Sequence, residues 1–150
     1  MPFKATDALL KDHRMVRKLL ENWEANHPRF AELTQTLQRT LLAHAWFEDQ
    51  IFLPAVAAEP LIFQRFETEI VQEHADIDTL LKLLRKLRPD QLKERACYAL
   101  QLRVLLDTHF KKEEDALFPL AEKLLTEEGL LALGQEMHDR REEVRRFIER

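Results

Sequence analysis

Four histidines and two glutamates stand in this chain at spacings that suit metal ligation: His13, His44 with Glu48, His74, and His109 with Glu113. Residues four apart lie one turn up on the same helical face, so each His-x-x-x-Glu can aim an imidazole and a carboxylate at one point. Their neighbours are apolar. Leu37, Leu41, His44, Glu48 and Ile51 step by four, three, four and three. Leu9, His13, Val16 and Leu20 keep nearly the same rhythm, as do Ile70, His74, Ile77 and Leu81, and Leu102, Leu105, His109, Glu113 and Leu117. These are core-facing stripes, with polar residues standing where leucines would otherwise pack.

A carboxylate buried without a partner is costly enough to protonate instead. Two glutamates on core stripes therefore need cations, and the basic residues fall mostly on other faces. A divalent first-row metal answers for the glutamates and the imidazoles together. Four imidazoles and two carboxylates suit iron, manganese or zinc, while the lack of thiolates argues against a structural zinc site. Two metals sharing six protein ligands would leave positions open for water, oxo or dioxygen-derived ligands. The plainer alternative is a metal-free bundle with buried His-Glu pairs.

An internal repeat favours the metal reading. His13 and His74 both open the pattern His-x-x-(Val/Ile)-x-x-Leu-Leu. His44 and His109 are each followed by glutamate four later, a second acid, and proline ten after the histidine. The offset is 61 residues for the first pair and 65 for the second. Two helical hairpins, each supplying one His and one His-x-x-x-Glu, would meet about an approximate two-fold axis.

The elements that must position these residues are helices. Only two glycines occur, and Leu, Ala, Glu, Lys and Arg dominate, which argues against a sheet with many tight turns. The first helix is expected from Thr6-Asp7, either of which could cap it, to about Ala25. The second starts with Pro28 as its first residue and meets Pro54. The third runs from near Pro60 to Arg88-Pro89. The fourth, capped by Asp90, reaches Pro119 or a turn or two beyond. Pro54 and Pro119 should end or kink their helices. Thr126 to Gly134 reads as a break, and Gln135 to Arg150 as a last charged helix. The expected fold is all-α: an up-down-up-down four-helix bundle with a short C-terminal fifth helix, in one domain over residues 1–150.

A net charge of −4 gives no electrostatic reason to expect nucleic acid or an anionic membrane as partner. No apolar run approaches a membrane span, and the N-terminus lacks a secretory stretch, so a cytoplasmic location is expected. The single Cys97 is expected to be a buried structural thiol. Nothing in the sequence specifies a protein partner or an oligomeric state.

The order His, His-x-x-x-Glu, His, His-x-x-x-Glu resembles the hemerythrin-like, or HHE cation-binding, domain. Glu73-His74 with Ile77 and Leu81, and Glu113-Glu114-Asp115 leading into Leu117-Phe118-Pro119, support the likeness, which extends from about Thr6 to at least Leu125. The resemblance implies a four-helix bundle with two iron ions bridged by both glutamates and an oxo or hydroxo species. The chain departs from oxygen-carrying hemerythrins, which place a histidine four after the third-helix histidine and use His-x-x-x-x-Asp on the fourth helix. Here Asp78 follows His74 by four, and the fourth helix carries His-x-x-x-Glu. The pattern is closer to members associated with iron sensing, peroxide decomposition or nitric-oxide stress. The expected small-molecule partners are therefore O2, peroxide or nitric oxide, handled by turnover or by sensing.

Asp78 reads as an extra ligand, an acceptor for an imidazole N–H, or a solvated acid. Asp49 and Glu114, about 100° round the helix from the glutamates, read as solvated acids or, as the alternative, as supports behind the ligands. Phe47 is the aromatic expected to line the site, with Phe110, Trp46 and Trp23 packing elsewhere. His27 and His138 are expected at the surface.

Overall fold

A computed structural model describes residues 3–58 and 62–149, all helical or in short connections. The helices are α1 (Ala5–Glu21), α2 (Phe30–Phe47), α3 (Leu53–Ala57), α4 (Ile62–Lys86), α5 (Leu92–Lys112), α6 (Phe118–Asp139) and α7 (Arg141–Glu149). Two π-helical turns, π1 (Glu48–Phe52) and π2 (Glu113–Leu117), join α2 to α3 and α5 to α6 without a loop. α1, α2, α4 and α5 form the expected four-helix bundle; α6 packs along α1, and α7 against α2. No helix among the described residues is long and apolar enough to cross a membrane.

The core has two parts with a polar layer between them. One cluster gathers Leu9, Phe52, Ile70, Leu117 and Phe118; the other gathers Val16, Leu41, Ile77, Leu81 and Leu106. Along α1, His13 lies between Leu9 and Val16, and along α4 His74 lies between Ile70 and Ile77. The histidine stripes read from the sequence thus cross the bundle at one level. Each fully buried leucine or isoleucine above and below contributes roughly 1.5–3 kcal/mol, which holds the polar layer in place.

Ahead of each of the two prolines the α-helix gives way to a π-turn, and a new α-helix follows without a loop. In π1 the Leu53 N–H reaches the Glu48 carbonyl, and in π2 the Phe118 N–H reaches that of Glu113, each five residues back. The wider turn relieves the clash a proline ring makes inside an α-helix. Pro54 and Pro119 then fall in the first turns of α3 and α6, where a missing N–H costs nothing.

Helix ends differ from the sequence reading for identifiable reasons. α1 begins at Ala5 with no side-chain cap; Thr6 instead donates its hydroxyl to Glu122 of α6 at 2.5 Å. It stops at Glu21, short of Ala25, because Trp23 turns inward to stack on Phe30 and donate to Thr34 at 2.8 Å. α2 starts at Phe30, two residues after Pro28. Asp90 does not cap α5; it takes Arg88 Nε at 3.2 Å, and α5 begins at Leu92. The start expected near Pro60 lies outside the described residues. The expected break from Thr126 to Gly134 shrinks to a kink at Thr126 within α6, with φ 61° and ψ 166°. There the Thr126 hydroxyl accepts the Gly129 N–H at 3.3 Å and so caps the continuing helix. Gly134 permits close packing: a Cβ there would lie 1.9 Å from the Phe3 carbonyl oxygen. Cys97 is exposed, not buried.

Candidate metal centre

The bundle draws all six expected residues into the polar layer. His13, His44, Glu48, His109 and Glu113 are at most 2% exposed, and the His74 side chain is 8% exposed. Each helix of the bundle supplies one histidine, and each glutamate is the first residue of a π-turn. Such turns recur at functional sites because they re-aim side chains.

The ring nitrogens divide into an outer and an inner set. Every Nδ1 faces a carboxylate: His13 with Glu114 at 2.6 Å, His44 with Asp12 at 3.1 Å, His74 with Asp49 at 2.9 Å and His109 with Glu73 at 2.7 Å. An ionised carboxylate only accepts, so each Nδ1 carries the proton and donates it. Every Nε2 then points inward at the two glutamates. His44 Nε2 is 2.7 Å from Glu48 Oε1, His13 Nε2 3.0 Å from Glu113 Oε1, His74 Nε2 3.2 Å from Glu48 Oε1 and His109 Nε2 3.4 Å from Glu113 Oε1.

Within this inner set the protein leaves much unmet. His44 Nε2, His109 Nε2, Glu48 Oε2 and Glu113 Oε2 are all buried without a hydrogen-bond partner. Orphans of this kind are rare in folded proteins. Ligand atoms from Glu48, His74, His109 and Glu113 lie within 4.8 Å of one another, as do those from His13, His44 and Glu113. Donors bound at about 2.0–2.2 Å to a common ion stand at such separations. The donor set, all nitrogen and oxygen with its Nδ1 protons turned outward, fits a divalent cation, and Glu113 is common to both groups. Carboxylates on the far nitrogens fix each tautomer and raise ligand basicity, as around many metal-bound histidines.

Without a metal, the charges balance among themselves. Burial pulls His44 down, but Glu48 and Asp12 outweigh it and hold the imidazole at about 10. Burial likewise opposes His74, which Asp49 and Glu48 raise to about 9. At His13 burial prevails, helped by His44, and the ring falls to about 4. Burial also depresses His109. Burial works against the charge of Glu48, yet His44 and His74 keep it well below the usual carboxylate range.

Asp12, Asp49, Glu73 and Glu114, the carboxylates on the outer ring nitrogens, are the site residues that the sequence reading passed over or assigned mainly to solvent. The signal was present: an acid precedes both His13 and His74, and an acid follows both Glu48 and Glu113. Phe110 and Phe118, not Phe47, are the aromatics that stack on a site histidine. Phe110 stacks on the His13 ring at 3.9 Å between centroids, while Phe47 packs edge-on to Trp46. Trp46 and Trp23 pack elsewhere, as expected. Asp78 pairs with Lys82 at 2.8 Å and joins neither ligand group. His138 is exposed beside Arg141; His27 is half-buried, its Nδ1 accepting the Arg29 N–H at 3.0 Å.

A cavity of about 20 Å3 abuts the centre, walled by His44, His74 and His109 on one side and by Leu41, Ile77 and Phe110 on the other. It has room for a water or a diatomic molecule. Asp78 also lines it.

Comparison with protein families matches the hemerythrin HHE cation binding domain over residues 4–97, more than half of the chain. The match spans His13, His44, Glu48 and His74; His109 and Glu113 lie beyond it. No curated protein and no solved structure matches the chain.

Proposed function

Because the chain belongs to the hemerythrin HHE cation-binding family, we propose that it holds two iron ions and reacts with, or senses, O2, peroxide or nitric oxide. The observation that carries this reading is the inner set of buried, unpartnered imidazole and carboxylate atoms next to a cavity of diatomic size. His13 and His44 would hold one ion and His74, His109 and Glu48 the other, with Glu113 shared. A pair of iron ions supplies one-electron redox steps and open positions for a small ligand.

The protein's own residues do the rest. Asp12, Asp49, Glu73 and Glu114 keep the Nδ1 protons in place and each ring fixed in rotation. Leu41, Ile77 and Phe110 exclude bulk water and limit entry to small molecules. No fifth imidazole is present where oxygen carriers have one, because position 78 is an aspartate paired to Lys82. Reaction or sensing therefore suits the site better than oxygen transport.

Metal analysis with an optical spectrum of aerobically purified protein tests this. Two irons per chain with ligand-to-iron charge-transfer bands are expected, and a stable protein that never takes up iron overturns the proposal. Peroxide or nitric-oxide consumption lost in His109→Ala identifies turnover. Metal-dependent protection of the helices from hydrogen exchange, without consumption, identifies a sensor.

A further inference from the structure

The end of the bundle remote from the metal ligands holds a second unbalanced group. Arg95, in the first turn of α5, is only 6% exposed. Its guanidinium lies over the Phe30 ring, 4.6 Å from the centroid. Its Nε is buried without a hydrogen-bond partner, and no carboxylate among the described residues forms an ion pair with it. A guanidinium cannot shed its proton to escape burial, as a lysine can. An aromatic face offsets part of that cost, but a buried charge normally has a counter-charge.

A cavity of about 340 Å3 opens beside Arg95, walled by Phe30, Thr34, Gln35, Leu84 and Arg85. Arg85 enters from α4 and is steadied by donating Nη1 to Gln38 Oε1 at 2.8 Å. Glu32, the acid on this wall, already has both oxygens engaged by Arg29, at 2.9 and 2.7 Å. Two guanidinium groups thus face one cavity with no free carboxylate between them. Thr34 precedes His44 by ten residues on α2, so the cavity lies roughly 15 Å along the helix from the nearest metal ligand.

We propose that this cavity is a binding site for a small oxyanion, a carboxylate or phosphate group, held by the Arg95 fork with Arg85 beside it. The planar fork matches either group through paired N–H donors, and an anion there turns a lone buried cation into a pair. The volume falls within the range of small-ligand sites, and Phe30 and Leu84 give an apolar wall for whatever carries the charge. The site does not depend on the metal.

Isothermal titration of the metal-loaded protein with inorganic phosphate and, separately, with succinate tests the proposal. Saturable binding of either probe is expected: phosphate alone assigns a phosphate group, succinate alone a carboxylate. Arg95→Lys, which keeps the charge and loses the fork, should weaken binding about tenfold. Arg85→Gln, at an exposed position, should do the same. Metal-stripped His109→Ala should bind the probe within about twofold of wild type. Three results would overturn the site: no saturation by either probe at millimolar concentration, affinity unchanged in both arginine variants, or binding that disappears with the metal, which places the anion at the metal centre.

Discussion

In the α1–α2 hairpin, His13 is held by Glu114, and Glu114 in turn takes both terminal nitrogens of Arg17, at 2.8 and 3.1 Å. The α4–α5 hairpin repeats the histidine and its acid, but not the cation. The exchange that carries His13 onto His74 carries Arg17 onto Asp78, and among the described residues Asp49 pairs with His74 and with no lysine or arginine. The same holds the other way round. Lys112 donates to Glu73 at 2.5 Å behind His109, and its counterpart in the first hairpin is Phe47, so among the described residues Asp12 behind His44 also has no lysine or arginine beside it. An acid shared with a cation is a weaker acceptor and pulls less on its imidazole. Burial depresses all four rings; the carboxylates overcome it at His44 and His74, whereas at His13 and His109 the neighbouring His44 and His74 add to the depression. Each candidate metal group therefore receives one strongly supported and one weakly supported histidine.

The largest expected effect separates the two glutamates that the repeat makes look equivalent. Glu113 stands in both donor groups and Glu48 in one. Glu113→Gln should lose both metals, and Glu48→Gln should keep about one per chain by elemental analysis; equal losses would restore the symmetry of the two halves. Next come the acids behind the rings, where such changes typically cost about 10–100-fold in metal affinity. Competition with a chelator should place Asp49→Asn and Asp12→Asn near the upper end and Glu114→Gln and Glu73→Gln near the lower. The reverse order would remove any role for the backing cations.

Protonation gives a third comparison. With values of about 10 and 9, His44 and His74 are protonated at pH 7.5 in the metal-free protein, while His13, near 4, is not. Metal must displace the two inward protons, so loading at pH 7.5 should release about two per chain, read in a weakly buffered indicator solution. The sign for stability follows from the raised values. The metal-free fold has this stabilisation in full below the ordinary histidine value of about 6.5 and loses it as pH climbs through 9 to 10. The smallest effect belongs to Arg17→Gln and Lys112→Gln: metal affinity should change less than about threefold, while NMR titration of the metal-free protein should show His13 or His109 rising in pKa.

The convergence of the four histidines and two glutamates and the bundle itself were legible in the sequence because both rest on helical period, and a His-x-x-x-Glu on an apolar stripe has one face to point to. The outer carboxylates were harder. Asp49 and Glu114 lie about 100° from the glutamates on an α-helix, which suggests solvent; in π-turns that open one residue earlier, they swing onto the rings of the opposite hairpin. The π-turns had a signal, a proline six after each glutamate, but a proline ordinarily argues for an end or kink. Phe110 was hidden for a related reason: its stacking on His13 is a contact between α5 and α1, which no pattern within one helix discloses.

Those two π-turns also act as phase shifters. Each inserts one residue into a continuous helical column, and at about 100° per residue the chain beyond it is turned by more than a quarter circle relative to an uninterrupted helix. Upstream, the column is set so that His44 and Glu48, or His109 and Glu113, face inward; downstream, so that Phe52 and Val56, or Phe118 and Ala121, do. A single-residue deletion that made either column regular would keep one alignment and rotate the other out to solvent. Ligand geometry and the packing of the lower core are geared together through one irregular turn in each half, so neither can drift in sequence without the other.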